Sequence, residues 1–218
     1  LMGGVYKMAR ARYAAERLAR HVASNMAVYL LTFVIFLTGV CYGAVQASIL
    51  KQGRTELFSC LETGLASLRH TLPVAPGKAL ASSLGANLSS AGLIWLSGLT
   101  ILGFPGAFVI LFVRGYSIGF TVAFMVREMS GAGAALAVAS VLPHNILAVP
   151  GLILASLSAL SFSWAVIKTK LIGVPSDVRL AFARSVAGVA VSVLLLSAAS
   201  FVQAYVSPAI LILAARFV

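Results

Sequence analysis

The chain has 218 residues, 61% of them hydrophobic and only 10% charged, where a soluble domain carries roughly 25% charged residues. Its net charge of +11 does not point to nucleic acid. The basic residues cluster at the ends of apolar runs, where they orient helices and meet anionic headgroups, and no basic stripe interleaves with exposed aromatics. Runs free of Asp, Glu, Lys and Arg cover 21–50, 79–113, 129–167 and 185–215. Each exceeds the ~20 residues that cross ~30 Å of hydrocarbon at ~1.5 Å per residue. The alternating ~10-residue segments of an outer-membrane barrel are absent. The composition therefore describes an all-α, polytopic integral membrane helical bundle with about five transmembrane helices in a single domain.

Residues 1–22 are basic, with Tyr6, Ala9, Tyr13, Ala14 and Leu18 at helical spacing, and read as a cytoplasmic amphipathic segment. The apolar stretch that follows, ending in "VQA", has signal-peptide features. Its uncharged run reaches Leu50, however, which is long enough for a first span at 25–47. An external loop at 51–81 comes next. Within it Leu57, Leu61, Leu65 and Leu68 share one helical face, for a membrane surface or a partner, before Pro73 and Pro76 stop the helix.

A second span at 82–102 and a third at 105–126 are joined by a turn at "GFPG", and "REMSGAG" at 127–133 forms the next loop. A fourth span at 134–167 is longer than a bilayer needs, so Pro143 or Pro150 is expected to break or strongly kink it. A basic cytoplasmic loop at 168–184 leads to a fifth span at 185–215, bent near its far end by Pro208. With the N-terminus inside, nine basic residues of short segments fall inside and six outside, which favours a cytoplasmic N-terminus and an external C-terminus.

The sequence offers little chemistry. Glu16, Glu56, Glu62, Glu128 and Asp177 all lie outside the predicted spans, and there are no paired carboxylates, HExxH, GxSxG, P-loop or GxGxxG. Cys41 and Cys60 form no CxxC pair, and His21, His70 and His144 are far apart, so neither a metal site nor a cofactor is expected. The awkward residues are intramembrane ones. Arg114 costs about 2.5–3.5 kcal/mol to insert at mid-helix and has no membrane-embedded acid to pair with. It must snorkel to the inner headgroups, which is the favoured reading, bind freed carbonyls, or meet a partner's acidic group. Gly115, Gly119 and Ala123 form a small-residue row for close helix packing, within the chain or in a homo-oligomer. Pro143, His144, Asn145 and Pro150 read as a broken helix whose polar pair satisfies freed carbonyls on a neighbour, or as a midplane substrate site.

Three passages carry a family resemblance. "GLTILGFPGAFVILFVRGYSIGFTVAFMV" resembles the second-to-third span hairpin of stage II sporulation protein M of endospore-forming bacteria, within a broader five-span family. "LAVASVLPHNILAVPGLILASLSALSFSW" is similar to its fourth span, and the basic segment before the first span also fits. Ala148 departs from broader members, which often carry an acid between the prolines. The resemblance implies a scaffold without activity of its own, in the mother-cell membrane at the sporulation septum. Such a protein recruits the peptidoglycan-degrading stage II sporulation proteins D and P for forespore engulfment. By that analogy, partners would bind through membrane faces and the outer loop at Leu57, Leu61 and Leu65. The reading from a different class is a transporter or lipid-handling permease that uses Arg114 and the His144–Asn145 break.

Overall fold

The structure, a computed structural model, describes residues 26–50, 53, 55–60, 62–63, 76–100, 103–170, 173 and 177–214. The predicted segment at 1–22 and the loop residues Leu61 and Leu65 lie outside them. The elements are α1 (Met26–Ile49), α2 (Pro76–Gly98), α3 (Gly103–Lys170), α4 (Val178–Phe201), a π-helical turn at Val202–Val206 and α5 (Ser207–Ala214). No strand occurs among the described residues. Five helical stretches are long and apolar enough to cross a membrane: Val28–Ile49, Pro76–Gly98, Pro105–Met129, Gly133–Lys170 and Val178–Ile212.

A straight helix of 68 residues would reach ~100 Å, three times the hydrocarbon thickness. α3 instead folds back on itself near Gly131. A Cβ on Gly133 would collide with the carbonyl of Met125, which a straight helix would hold ~12 Å away. Met125 packs in one cluster with Leu136 and Ala137, and the Ser140 hydroxyl reaches its sulfur at 3.9 Å. Residues 103–129 and 133–170 are thus two antiparallel arms, helix running into helix with no extended residue between them. The expected loop at 127–133 is helical, and glycine at 133 lets the backbones meet at the reversal.

The contacts fix the direction of every span. Phe36 meets Gly115 and Val40 meets Gly119, so α1 runs parallel to the first arm. α2 runs antiparallel to that arm, with Ser97 beside Gly106 and Asn87 bonded to Arg114. α4 opposes both α2, through Trp95–Ser185 and Asn87–Ser200, and the second arm, through Ser158–Gly188 and Gly151–Leu196. The five spans therefore alternate. Small residues dominate the core: Ala91, Ala107, Ala148, Ala155 and Ala199 are fully buried beside Ile94, Leu111, Leu152 and Leu196. This suits a medium in which backbones must approach closely because no hydrophobic force drives apolar helices together.

Several boundaries differ from expectation. α2 begins at Pro76, inside the expected loop at 51–81 and six residues before the expected start at 82. Proline opens a helix comfortably because the first N–H groups lack intrahelical partners. The turn after α2 falls at Leu99–Thr100, just before "GFPG", and Pro105 sits within the first turn of α3. α4 begins at Val178, within the expected basic loop at 168–184. Asp177 caps it, accepting from the Leu180 N–H at 3.0 Å. The fourth span does not break: helix continues through both Pro143 and Pro150. Packing of Ala148, Gly151, Leu152 and Ala155 holds the helix where two backbone bonds are lost. The disturbance expected at Pro208 appears one turn earlier. There the helix widens to a π-turn in which the Ser207 N–H donates to the Val202 carbonyl. The wider turn makes room for the proline ring, which would otherwise press on the Ala204 carbonyl.

Candidate functional site

Two contrasting interfaces meet on the first arm of α3. On one side Gly115 and Gly119 lie against α1 so closely that a Cβ on either would strike the carbonyls of Phe36 and Val40. The closeness is reciprocal: a Cβ on Gly39 or Gly43 of α1 would strike the carbonyls of Phe112 and Tyr116. The small-residue row is thus used within the chain. Ala123 lies farther out, lining an apolar groove with Val40, Ala44, Ile118 and Val122 that ends at Arg127. The Arg127 guanidinium closes the seam by donating to the Ala47 carbonyl at 3.3 Å.

On the other side is a ladder of polar groups near mid-membrane. Arg114 stands near the middle of Pro105–Met129 and is partly buried. Its guanidinium donates to Asn87 Oδ1 at 2.8 Å rather than running to the inner headgroups, so the snorkelling reading is replaced by an inward one. Asn87, 1% exposed, donates in turn to Ser200 Oγ at 2.9 Å, and the Ser200 hydroxyl donates to the Leu196 carbonyl. One turn toward the start of α2, Ser83 donates to Gln203 Oε1 at 2.6 Å. Toward the start of α4, Ser192 donates to the Gly151 carbonyl at 2.7 Å and Trp95 donates to Ser185 Oγ at 3.2 Å. Every one of these bonds joins two different helices, except Ser200 to Leu196. In hydrocarbon such bonds are the specific attraction between spans.

His144 comes close enough to Arg114 to feel its charge, so the two residues singled out by sequence share one region. Asn145 does not bridge helices. Its amide donates to the Val141 carbonyl of its own helix at 2.7 Å and lies 3.1 Å from His144 Nε2. That contact makes Nε2 the acceptor and leaves the proton on Nδ1. The ring feels the Ser140 carbonyl one turn back, but Nδ1 makes no well-formed hydrogen bond, nor do Asn145 Oδ1 and Ser207 Oγ. Pro143 and Pro150 lie on the same helix, one on each side of the buried Ala148. Leu57 is exposed on a helical stretch at 55–60, between α1 and α2.

Sequence reasoning missed the partners. Gly39, Gly43 and Ala47 repeat at the same spacing as Gly115, Gly119 and Ala123, and that match was the available signal. Ser83, Asn87 and Ala91 likewise stack on one face of α2, the row that meets Arg114 and Ser200.

The profile of the stage II sporulation protein M family matches residues 30–208. The chain belongs to that family. No curated protein and no solved structure matches it. The matched region holds α1 from Leu30, both arms of α3, and the whole ladder from Ser83 to Gln203. The glycine seam and the mid-membrane cluster are therefore parts of a stage II sporulation protein M domain, a multi-pass membrane bundle of a sporulation family.

Proposed function

We propose that this protein is a non-enzymatic membrane scaffold. It recruits and organises peptidoglycan-degrading enzymes, the stage II sporulation proteins D and P, in the mother-cell membrane at the sporulation septum during engulfment. Membership of the stage II sporulation protein M family carries the reading. It is supported by the use to which the buried polar groups are put: they join helix to helix and build a rigid frame. The charge distribution supports a cytoplasmic N-terminus and an external C-terminus. Lys168, Lys170, Arg179 and Arg184 gather at one end of the bundle, whereas Glu56, Glu62 and Glu128 lie with Lys78 and Arg127 at the other. The outer loop with its exposed Leu57 then faces the wall, where hydrolases act.

Tagged protein drawn from membranes of sporulating cells in mild detergent should bring wall hydrolases with it in stoichiometric amounts. Recovery alone, or with an ATPase, would remove the scaffold reading. The Arg114 cluster favours a second reading, a lipid-handling permease. In that case Arg114→Gln abolishes flux while leaving complexes intact, whereas in a scaffold losses follow assembly.

A further inference from the structure

Arg114 presents an imbalance that the helix packing leaves open. A guanidinium carries five N–H donors and a full charge, and at mid-membrane both demand compensation. Its hydrogen-bond acceptor among the described residues is the neutral amide oxygen of Asn87. The carbonyls that Pro143 and Pro150 release, those of Ala139 and Ile146, do not accept from it. The acids among the described residues, Glu56, Glu62, Glu128 and Asp177, stand at helix ends or between helices, away from mid-depth. Asn87 cannot supply more, since its NH2 is committed to Ser200.

The surroundings are rich in donors. His144 lies within electrostatic range of Arg114, and its buried Nδ1 makes no well-formed hydrogen bond. Gln203 has its oxygen occupied by Ser83 and is itself exposed, so its NH2 is the group it can offer. The π-turn at Val202–Val206 carries that residue.

We propose that the Arg114 region binds a phosphate oxyanion within the membrane, with the guanidinium as its charged contact and His144 as a neighbouring donor. The guanidinium fork matches two phosphate oxygens at once, and a buried cation gains most from such a bidentate partner. The shared chemistry has two sources, the headgroup of an anionic phospholipid and free phosphate. Arg114 is partly buried beside Asn87 of α2, and a compact phosphate group needs less access there than a partner's helix ~10 Å wide. The site is independent of the scaffold reading, since a recruiting platform and a permease can both hold a lipid.

The test uses the purified full chain in neutral detergent, followed by thermal unfolding and native mass spectrometry. Titrants are phosphatidylglycerol, phosphatidylcholine and inorganic phosphate. Stabilisation and one retained molecule with phosphatidylglycerol, but not with phosphatidylcholine, assign the site to a headgroup; stabilisation by inorganic phosphate assigns it to a free ion. In either case Arg114→Gln should weaken binding by at least about tenfold, and Arg127→Gln, at the end of the groove, should leave it unchanged. If Arg114→Gln fails to fold, Arg114→Lys keeps the charge without the fork and should still weaken binding severalfold. The proposal is overturned if neither phosphate nor phosphatidylglycerol acts beyond phosphatidylcholine, or if binding survives unchanged in whichever of the Gln and Lys variants folds. Hydrolase co-purification from the same variants reads the scaffold role separately.

Discussion

The first arm of α3 is held by two opposite means. Its α1 face is dry: backbone lies on backbone between Gly39, Gly43, Gly115 and Gly119, and the attraction is dispersion at close range. Its α2 face adds a polar chain to apolar packing, with Arg114, Asn87 and Ser200 linked in sequence through three helices. The difference teaches what each face tolerates. The seam depends on atoms that are missing, so any added carbon parts the helices. The ladder depends on atoms that are present, so removing one strands its neighbours.

The sharpest test of this contrast is Gly119→Leu. Its first side-chain carbon already overlaps the Val40 carbonyl, and α1 docks almost wholly on α3. A loss of about 3 kcal/mol is expected, seen as a lower unfolding temperature in detergent. An unchanged temperature would show that α1 does not sit on this seam. Asn87→Ala comes next. It deprives Arg114 and Ser200 of their partner together, and a loss of about 2 kcal/mol should appear in the same measurement. Ser83→Ala, which cuts a single neutral bond to Gln203, should cost only about 0.6 kcal/mol. Gly92→Ala closes the series. Nothing lies within 4 Å of the added carbon, so stability should stay within about 0.5 kcal/mol of the parent. A Gly92→Ala loss as large as that of Gly119→Leu would mean that glycine content, and not contact, sets the sensitivity.

Much of the architecture was legible because a bilayer imposes simple rules. Span number followed from charge-free length, and the Gly115–Gly119 row announced close packing. Helix ends were less legible. Pro76, Pro105, Pro143 and Pro150 all read as punctuation, yet two sit in first turns and two in a continuous helix. Proline forbids a hydrogen bond only to its own nitrogen, and tertiary packing decides whether the helix survives. The site was half legible. Arg114 and His144 stood out because they are costly in lipid, but what each faces depends on helix rotation. Asn87 and Ser200 are ordinary residues until the fold brings them to Arg114.

At the centre of the account is the proposal that this protein is an assembly platform whose loop at 51–81 meets enzymes acting on the wall. A photo-crosslinking residue at Leu57, compared with one at Arg179 on the opposite end of the bundle, tests this most directly. In sporulating cells Leu57 should yield adducts with the stage II sporulation proteins D or P, and Arg179 should not. Adducts absent from Leu57, or formed equally from both ends, would contradict the platform.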